Sequence, residues 1–223
     1  MGKIWFTSDT HFSHKKIPLY ARRNFCLNKE EQKIVDSIWM NGGVTSTKWN
    51  RWAPSWESIA KMNDYIITKI NEVVKRDDVL WHLGDFCFSP KNSIEEYAEK
   101  HSKRINCKNV YLTWGNHDDK KISRFFKECH ERYEFNYKQK HIVLSHYAQA
   151  VWNKSHHGSW MLYGHSHATA EDWLEKAMPG RLSMDVGIDN IYRILGEYRP
   201  ISFEEIQKIF EKRKGLSIDN GKN

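Results

Sequence analysis

The sequence predicts an α/β fold, and two patterns carry that prediction. Short, almost continuously apolar runs alternate along the chain with longer segments whose apolar residues recur at helical spacing, which is typical of α/β proteins. The runs lack the alternation of a half-exposed strand, so we expect central strands that are buried on both faces. With 223 residues, the chain is long enough to form one domain with a sizeable core.

Five apolar runs are predicted to be strands that each end in a polar tip. They are residues 3–8, 79–83, 110–114, 141–144 and 160–163. Two further strand-like runs occupy the C-terminal part of the chain, at residues 182–186 and 192–197.

Helical spacing of apolar residues predicts helices between these strands. They cover residues 28–40, 55–76, 93–105 and 121–130, with a last helix beginning after Pro200. In that last helix, Ser202 and Glu205 have the spacing of a capping box. The polar tail, residues 215–223, is expected to be frayed.

Composition and charge narrow the class of protein. A formal net charge of +7 attracts anions, nucleic acid among them. The charge is equally consistent with a generally basic surface that has no such partner. No run approaches the roughly 20 apolar residues of a membrane span. The four cysteines are scattered without a CxxC pair, and the N-terminus enters a strand-like run without a secretory leader, so we expect a cytoplasmic protein with reduced thiols.

The polar tips contain the side chains that bind metals. In chain order they are Asp9-Thr10-His11, Gly84-Asp85, Gly115-Asn116-His117-Asp118, Ser145-His146 and Gly164-His165-Ser166-His167. Open α/β sheets place their sites at the carboxyl ends of strands, so we expect these side chains to form one site. Imidazole and carboxylate ligands suit manganese, iron, zinc or nickel. The tips contain no cysteine, which argues against a structural zinc site.

The five tips, in this order, resemble those of the calcineurin-like metallophosphoesterase superfamily. The resemblance extends from about Lys3 to Glu205, and the segments 6–12 and 81–86 look like the small, single-domain bacterial and phage branch. It implies a two-sheet β-sandwich flanked by helices. It also implies a two-metal centre, with Asp9, His11 and His167 on the first ion, Asn116, His146 and His165 on the second, and Asp85 bridging both. His117 would face the substrate, and Asp118 would orient the His117 ring.

The resemblance implies a phosphoester hydrolase in which a metal-bridging hydroxide attacks phosphorus in line. Manganese is the expected ion, with iron, zinc and nickel as alternatives. We expect a phosphodiesterase or phosphatase acting on a nucleotide or small phosphoester. The alternatives are a nuclease on DNA or RNA ends or short single strands, which the basic charge favours, and a non-catalytic scaffold, which the filled ligand positions and His117 disfavour. The oligomeric state is left open.

A tryptophan-rich insertion at residues 41–56 is the best place to look for specificity. Its indoles would stack on a base or sugar beside Lys48 and Arg51, or else form a small satellite core or a dimer contact. The candidate substrate-binding residues are His14, Arg22, Arg23, Trp49, Trp52 and His157. Of the other histidines, His82 is expected to be packed inside its strand, whereas His101, His130 and His141 are expected at the surface.

Overall fold

A computed structural model of the chain describes residues 2–43, 52–89 and 93–213. Within these ranges the chain forms nine strands in two sheets. The strands are β1 (Ile4–Thr7), β2 (Val79–His82), β3 (Asn109–Thr113), β4 (Cys129–His130), β5 (Arg132–Tyr137), β6 (Lys140–Ser145), β7 (Trp160–Tyr163), β8 (Ser183–Asp185) and β9 (Ile201–Ser202). Trp49 and the tail at residues 215–223 lie outside the described residues.

Both sheets are mostly parallel. The first has the order β4-β3-β2-β1-β9, in which only β9 runs antiparallel to its neighbour. The second has the order β5-β6-β7-β8, in which β5 and β6 form an antiparallel hairpin and the other pairs are parallel.

The helices of the described chain are mostly short, and three of them lie between β1 and β2. They are α1 (Ile17–Tyr20), α2 (Lys29–Met40), α3 (Trp56–Val73), α4 (Ile94–Ser102), α5 (Glu171–Ala177), α6 (Ile188–Leu195) and α7 (Phe203–Phe210). The predicted caps of α3 and α7 are present, because Ser55 accepts the amide of Ser58 and the capping box joins Ser202 and Glu205.

The two sheets pack face to face, and helices cover their outer faces. Phe6 and Trp81 of the first sheet share one buried apolar cluster with Leu144 and Leu162 of the second. Their strand neighbours point the other way. Trp5, Leu80 and Leu112 pack with residues of α2, α3 and α4, and Val143 and Met161 pack with Leu174 of α5. The predicted α/β fold and two-sheet sandwich are therefore confirmed.

The carboxyl ends of β1 and β8 meet where the two sheets touch. Ser8, directly after β1, forms an isolated parallel bridge with Gly187, and the amide of Ile188 donates to the Ser8 carbonyl oxygen over 3.2 Å. This contact brings polar tips from both sheets to one edge of the sandwich.

Two predicted elements are wrong, and several others were missed. Residues 192–197 do not form a strand: α6 extends to Leu195 and ends at Gly196, whose φ of 75° only glycine adopts without strain. The predicted helix over 121–130 is instead a 3₁₀ turn followed by β4. The missed elements include α5, β9 and β5. In β5, alternate aromatic residues pack on the inter-sheet core.

The histidines outside the site show one further correction. His82 is buried as expected, with its Nε2 atom 2.9 Å from the Thr10 hydroxyl. His101 is not a surface residue: it is fully buried, its ring stacks on Phe12, and its Nε2 atom lies 2.8 Å from the Ser13 hydroxyl. Both rings therefore support the loop that follows β1.

All four cysteines are free, and three of them are buried. No helix among the described residues is long and apolar enough to span a membrane.

The capping box of α7 predicts an acid-sensitive contribution to stability. Glu205 accepts the Ser202 amide and the Arg199 guanidinium. Burial by itself raises the pKa of Glu205, but these hydrogen bonds lower it from 4.5 to about 2. The carboxylate thus stabilises the fold above its ordinary pKa, and this stabilisation is lost as the pH falls toward 2.

We expect Glu205→Gln to destabilise the protein by about 1 kcal/mol at pH 7, and we expect the difference from wild type to shrink at pH 3. Thermal unfolding followed by circular dichroism at both pH values measures this. Glu96→Gln, at an exposed carboxylate in the first turn of α4, is the matched control. An equally large difference at both pH values would contradict the assignment.

Candidate metal centre

The structure brings all seven predicted metal ligands to the edge where the two sheets meet. One group consists of Asp9, His11 and His167, and the other of Asp85, His146 and His165. Within each group the potential ligand atoms all lie within 4.8 Å of one another. The seventh residue, Asn116, joins the second group because its Oδ1 atom is 3.0 Å from His146 Nε2.

Several buried polar atoms at this edge have no hydrogen-bond partner. They are Asp9 Oδ1 and both ring nitrogens of His11. The nearest approaches of His11 Nε2 to carboxylate oxygens are 3.9 Å to Asp9 and 3.5 Å to Asp85. Two ligands about 2.1 Å from one ion are about 3–3.5 Å apart. The separation of His11 from Asp85 therefore suits a shared cation better than a hydrogen bond, and the separation from Asp9 is slightly longer. The donor set therefore fits divalent metal ions.

Asp85 lies between the two groups. Its Oδ2 atom is 3.5 Å from His11 Nε2 in the first group and 3.6 Å from His146 Nε2 in the second. Its Oδ1 atom instead accepts the backbone amide of His117 over 2.9 Å. One carboxylate oxygen is thus held toward both groups, and the other is fixed to the backbone.

Hydrogen bonds to the Nδ1 atoms orient two of the imidazole rings. His146 Nδ1 lies 2.8 Å from the carbonyl oxygen of Leu83, and His167 Nδ1 lies 2.6 Å from Asp189 Oδ2. A carbonyl or carboxylate oxygen accepts hydrogen bonds, so in each neutral ring the proton is on Nδ1 and the lone pair is on Nε2. Both Nε2 atoms therefore face the site as potential ligands.

Burial sets the protonation behaviour of the first group. It raises the pKa of Asp9 and lowers the pKa of His11 well below its usual value. Burial by itself also lowers the pKa of His167, but the hydrogen bond to Asp189 and the charge of Asp9 raise it overall. A divalent cation favours the charged carboxylate and the unprotonated imidazole. Such an ion would thus compensate the cost of burying the Asp9 charge.

Five of the seven predicted ligands have left-handed backbone conformations. The φ angles are 55° for Asp9, 48° for His11, 57° for Asp85, 69° for His165 and 47° for His167. Positive φ is uncommon outside glycine, although Asp and His adopt it more readily than most residues. Such a concentration of strained conformations is typical of functional sites.

Two glycines allow the tips to approach one another. A Cβ atom on Gly164 would lie 2.0 Å from the Ser8 hydroxyl and 2.4 Å from Asp9 Oδ2. A Cβ atom on Gly115 would lie 2.2 Å from Asp85 Oδ1. Both positions therefore require glycine because the neighbouring carboxylates already occupy the space.

Among the described residues, the Asp118 carboxylate makes no hydrogen bond with the His117 ring, which differs from the predicted arrangement. Its carboxylate accepts three backbone amides, those of Asp85, Phe86 and Gly115, over 2.8–2.9 Å. Burial raises the pKa of Asp118 to about 6, although the amides oppose this shift. Asp118 therefore joins the loops after β2 and β3, and the exposed His117 ring is left at the mouth of the site.

Arg23 was expected to bind substrate, and this prediction is wrong. Its side chain is completely buried. The guanidinium donates to both carboxylate oxygens of Asp189 and to the backbone oxygens of Asp9 and Thr10. Arg23 is thus a structural cation beneath the site, because it holds the β1 tip and the carboxylate that orients His167.

Two site carboxylates were missed. Asp189 orients His167, and its pKa falls to about 2 because Arg23 and His167 outweigh the effect of burial. Asp185 accepts the Ser166 hydroxyl over 2.8 Å and the Ala168 amide over 3.1 Å, so it supports the tip that follows β7. Burial and the charge of Asp9 raise the pKa of Asp185 to about 7. Asp185 is the last residue of β8 and Asp189 follows that strand, so the two form a sixth polar tip.

Three other residues were predicted to bind substrate, and their surroundings differ. The His14 ring is 5.3 Å from the His11 ring and 6.3 Å from the His117 ring, at the mouth of the site. Arg22 is exposed and lies over the Trp39 ring. Trp52 is partly buried against the main core, which agrees with the alternative that these tryptophans have a structural role.

His157 is not part of the site. It is exposed and ends a 3₁₀ turn at the amino-terminal end of β7, whereas the predicted ligands follow the carboxyl end of that strand. Its prediction as a substrate residue is therefore wrong.

The bond between Asp189 and His167 predicts a role in metal affinity. Asp189→Asn removes the charge that favours Nδ1 protonation, and we expect about 10- to 100-fold weaker manganese binding. Competition with a chelator measures this affinity, and thermal unfolding monitors the fold, because the variant also leaves Arg23 without its counter-ion. Asp172→Asn, at an exposed carboxylate paired with Arg193, should bind metal like wild type. Unchanged affinity in a folded Asp189→Asn protein would exclude this role.

Comparisons with known proteins identify the family. An uncharacterized protein from Methanocaldococcus jannaschii is 28% identical over 221 residues, which cover 99% of this chain and 98% of that protein. A crystal structure of a protein of unknown function from Aquifex aeolicus has a TM-score of 0.58 at 22% identity, and it covers 94% of this chain and 100% of its own, so the two share a fold. A phosphoesterase from E. coli is more distant, with a TM-score of 0.34, 17% identity and 74% and 70% coverage. The family model for calcineurin-like phosphoesterases matches residues 2–211, and the chain therefore belongs to that family.

Proposed function

We propose that this protein is a two-metal-dependent phosphoester hydrolase that acts as a phosphodiesterase on a nucleotide or another small phosphoester. The position of Asp85 carries the proposal. Its Oδ2 atom is almost equally far from His11 and His146, which belong to different ligand groups. A carboxylate oxygen between two imidazole-rich groups is suited to bridging two cations.

The chain supplies a separate ligand set for each ion. Asp9, His11 and His167 would hold the first, and Asn116, His146 and His165 the second, with Asp85 shared. Bound divalent ions in such a centre activate water as a nucleophile and neutralise the phosphoryl oxygens. The ligands are nitrogen and oxygen without sulfur, which favours manganese and admits iron, zinc or nickel.

His117 is the candidate proton donor to the leaving oxygen. Its backbone amide is bonded to Asp85 Oδ1, so its ring is attached directly beside the proposed bridge. The ring is exposed and has aromatic contacts with His11 and Phe88. A protonated His117 would supply the hydrogen that an alkoxide leaving group needs.

The net charge of +7 favours an anionic substrate with further phosphates. It keeps a nuclease acting on short single strands as the second candidate, while the intact ligand set continues to disfavour a scaffold.

We expect metal-stripped protein reloaded with manganese to hydrolyse bis(p-nitrophenyl) phosphate faster than p-nitrophenyl phosphate. Asp85→Asn, which removes the shared charge, should abolish both reactions, whereas Asp172→Asn should retain them. Nitrophenolate release measures the rates. A monoester preference would contradict the phosphodiesterase assignment. Failure of the metal-loaded wild type to hydrolyse either substrate would contradict the assignment as a hydrolase.

We expect His117→Ala to bind manganese like wild type, because the substitution leaves its backbone amide bond to Asp85 intact. Its turnover of an alkyl phosphodiester should fall about 10²- to 10⁴-fold. Turnover of the nitrophenyl diester should fall less, because nitrophenolate leaves without a proton. Steady-state rates on both substrates test this. Equal losses on both would show that His117 acts otherwise than as an acid.

A further inference from the structure

We propose that Phe88 and Tyr147 form a two-sided base clamp around the metal centre. The substrate class that this arrangement fits is a phosphodiester joining two nucleotides of a single strand. The proposal rests on the proposed function, because it assumes that the scissile phosphate lies at the centre.

Phe88 lies on the side of the site where His117 is located. Its side chain is 38% exposed, although its backbone amide is fixed to the Phe12 carbonyl oxygen over 2.8 Å. The ring meets His14 edge to face at a centroid distance of 4.5 Å and His117 at 5.8 Å. An anchored backbone with an exposed ring provides a rigid apolar surface next to the proposed proton donor.

Tyr147 lies against the second ligand group. It directly follows His146, and its side chain is 50% exposed. The ring meets His165 edge to face at 4.6 Å and His146 at 5.1 Å. Both of those histidines belong to the second ligand group. The edge-to-face contacts hold the Tyr147 ring while leaving a face of it available for stacking.

Tyr147 thus contacts the second ligand group directly, whereas Phe88 is connected to the first through the His14 and His117 rings, which lie 5.3 and 5.6 Å from the His11 ring. Asp85 Oδ2 lies between the groups. A phosphate bound there would have one aromatic surface toward its leaving group and one toward its other ester substituent. A phosphomonoester or a cyclic nucleotide has only one base and would leave one ring unused. In a duplex the base faces are covered by their neighbours, so both rings require single-stranded bases.

Aromatic rings and cations also lie near the Phe88 side of the site. The Tyr20 ring lies 6.1 Å from the His14 ring, and two cations within residues 15–22 lie over indole rings. Lys15 Nζ is 5.0 Å from the Trp56 ring centre, and the Arg22 guanidinium is 5.4 Å from that of Trp39. Aromatic surfaces interleaved with cations are typical of sequence-tolerant binding to single strands. This favours an oligonucleotide, which carries several phosphate charges, over a single aryl diester, which carries one.

The test compares binding of two fluorescein-labelled probes to the full-length chain: pentathymidylate and an abasic strand with the same number of phosphates. Anisotropy is measured on the manganese-loaded protein, and both strands carry hydrolysis-resistant phosphorothioate linkages, so that the centre stays loaded and no strand is cleaved. Because the backbone charge is equal, the ratio of the two dissociation constants reports base stacking alone. We expect wild type to prefer pentathymidylate, with about 5- to 150-fold per stacked base.

Phe88→Leu and Tyr147→Leu should each remove part of this preference, and the double variant should bind both strands equally. Tyr192→Leu is the matched control, since Tyr192 is 47% exposed and stacks on Tyr198. Equal binding of both strands by wild type, or an unchanged ratio in the double variant, would overturn the clamp. Loss in only one single variant would overturn its two-sided form.

The manganese-dependent diester assay is run beside the binding assay on the same wild-type preparation. Hydrolysis without a base preference would reject the clamp and keep the proposed function. A base preference without hydrolysis of the nitrophenyl diester or of pentathymidylate would reject the proposed function and, with it, the scissile-phosphate geometry on which the clamp rests.

Discussion

The buried ion pair between Arg23 and Asp189 is the interaction on which the candidate site depends. Burying two charges costs several kcal/mol per ion unless every polar atom is satisfied, and this guanidinium meets that condition with two carboxylate oxygens and two backbone carbonyls. Replacing such a pair with apolar residues often leaves a protein equally stable. Positioning is therefore the better explanation for its presence, since the same Asp189 carboxylate also fixes the His167 ring.

The strain at the site explains why it needs this support. A left-handed conformation costs about 1–2 kcal/mol for each non-glycine residue, and five predicted ligands adopt one. The surroundings that hold them come from several elements at once. Asp9 is held through its carbonyl by Arg23 and through its Oδ2 by the His165 amide, while the Asp118 carboxylate receives the Asp85 amide. The fold thus keeps the ligand atoms together before any ion arrives.

Local patterns in the sequence were sufficient to predict the strands that carry ligands and the helices with clear caps. The two-sheet pairing came from the family resemblance, because periodicity does not reveal which strands share a sheet. The Asp185 and Asp189 roles depend on partners about twenty positions away, Ser166 and His167, and such pairing leaves no local signal. Arg23 illustrates the same limit, since an arginine beside another arginine resembles a surface residue until its buried partner is known.

Asp118 and Asp189 are both carboxylates at this edge of the sandwich, but they bond to different kinds of group. Asp189 acts on a ring, and so it fixes the tautomer of a potential ligand. Asp118 acts on backbone amides, and so it joins the tips after β2 and β3 into one unit that contains both Asp85 and His117. Hydrogen bonds thus connect the proposed bridging carboxylate and the proposed proton donor within one unit. Within the described residues, the exposed His117 ring has no carboxylate partner of its own, and in the proposed function it would bond a substrate oxygen.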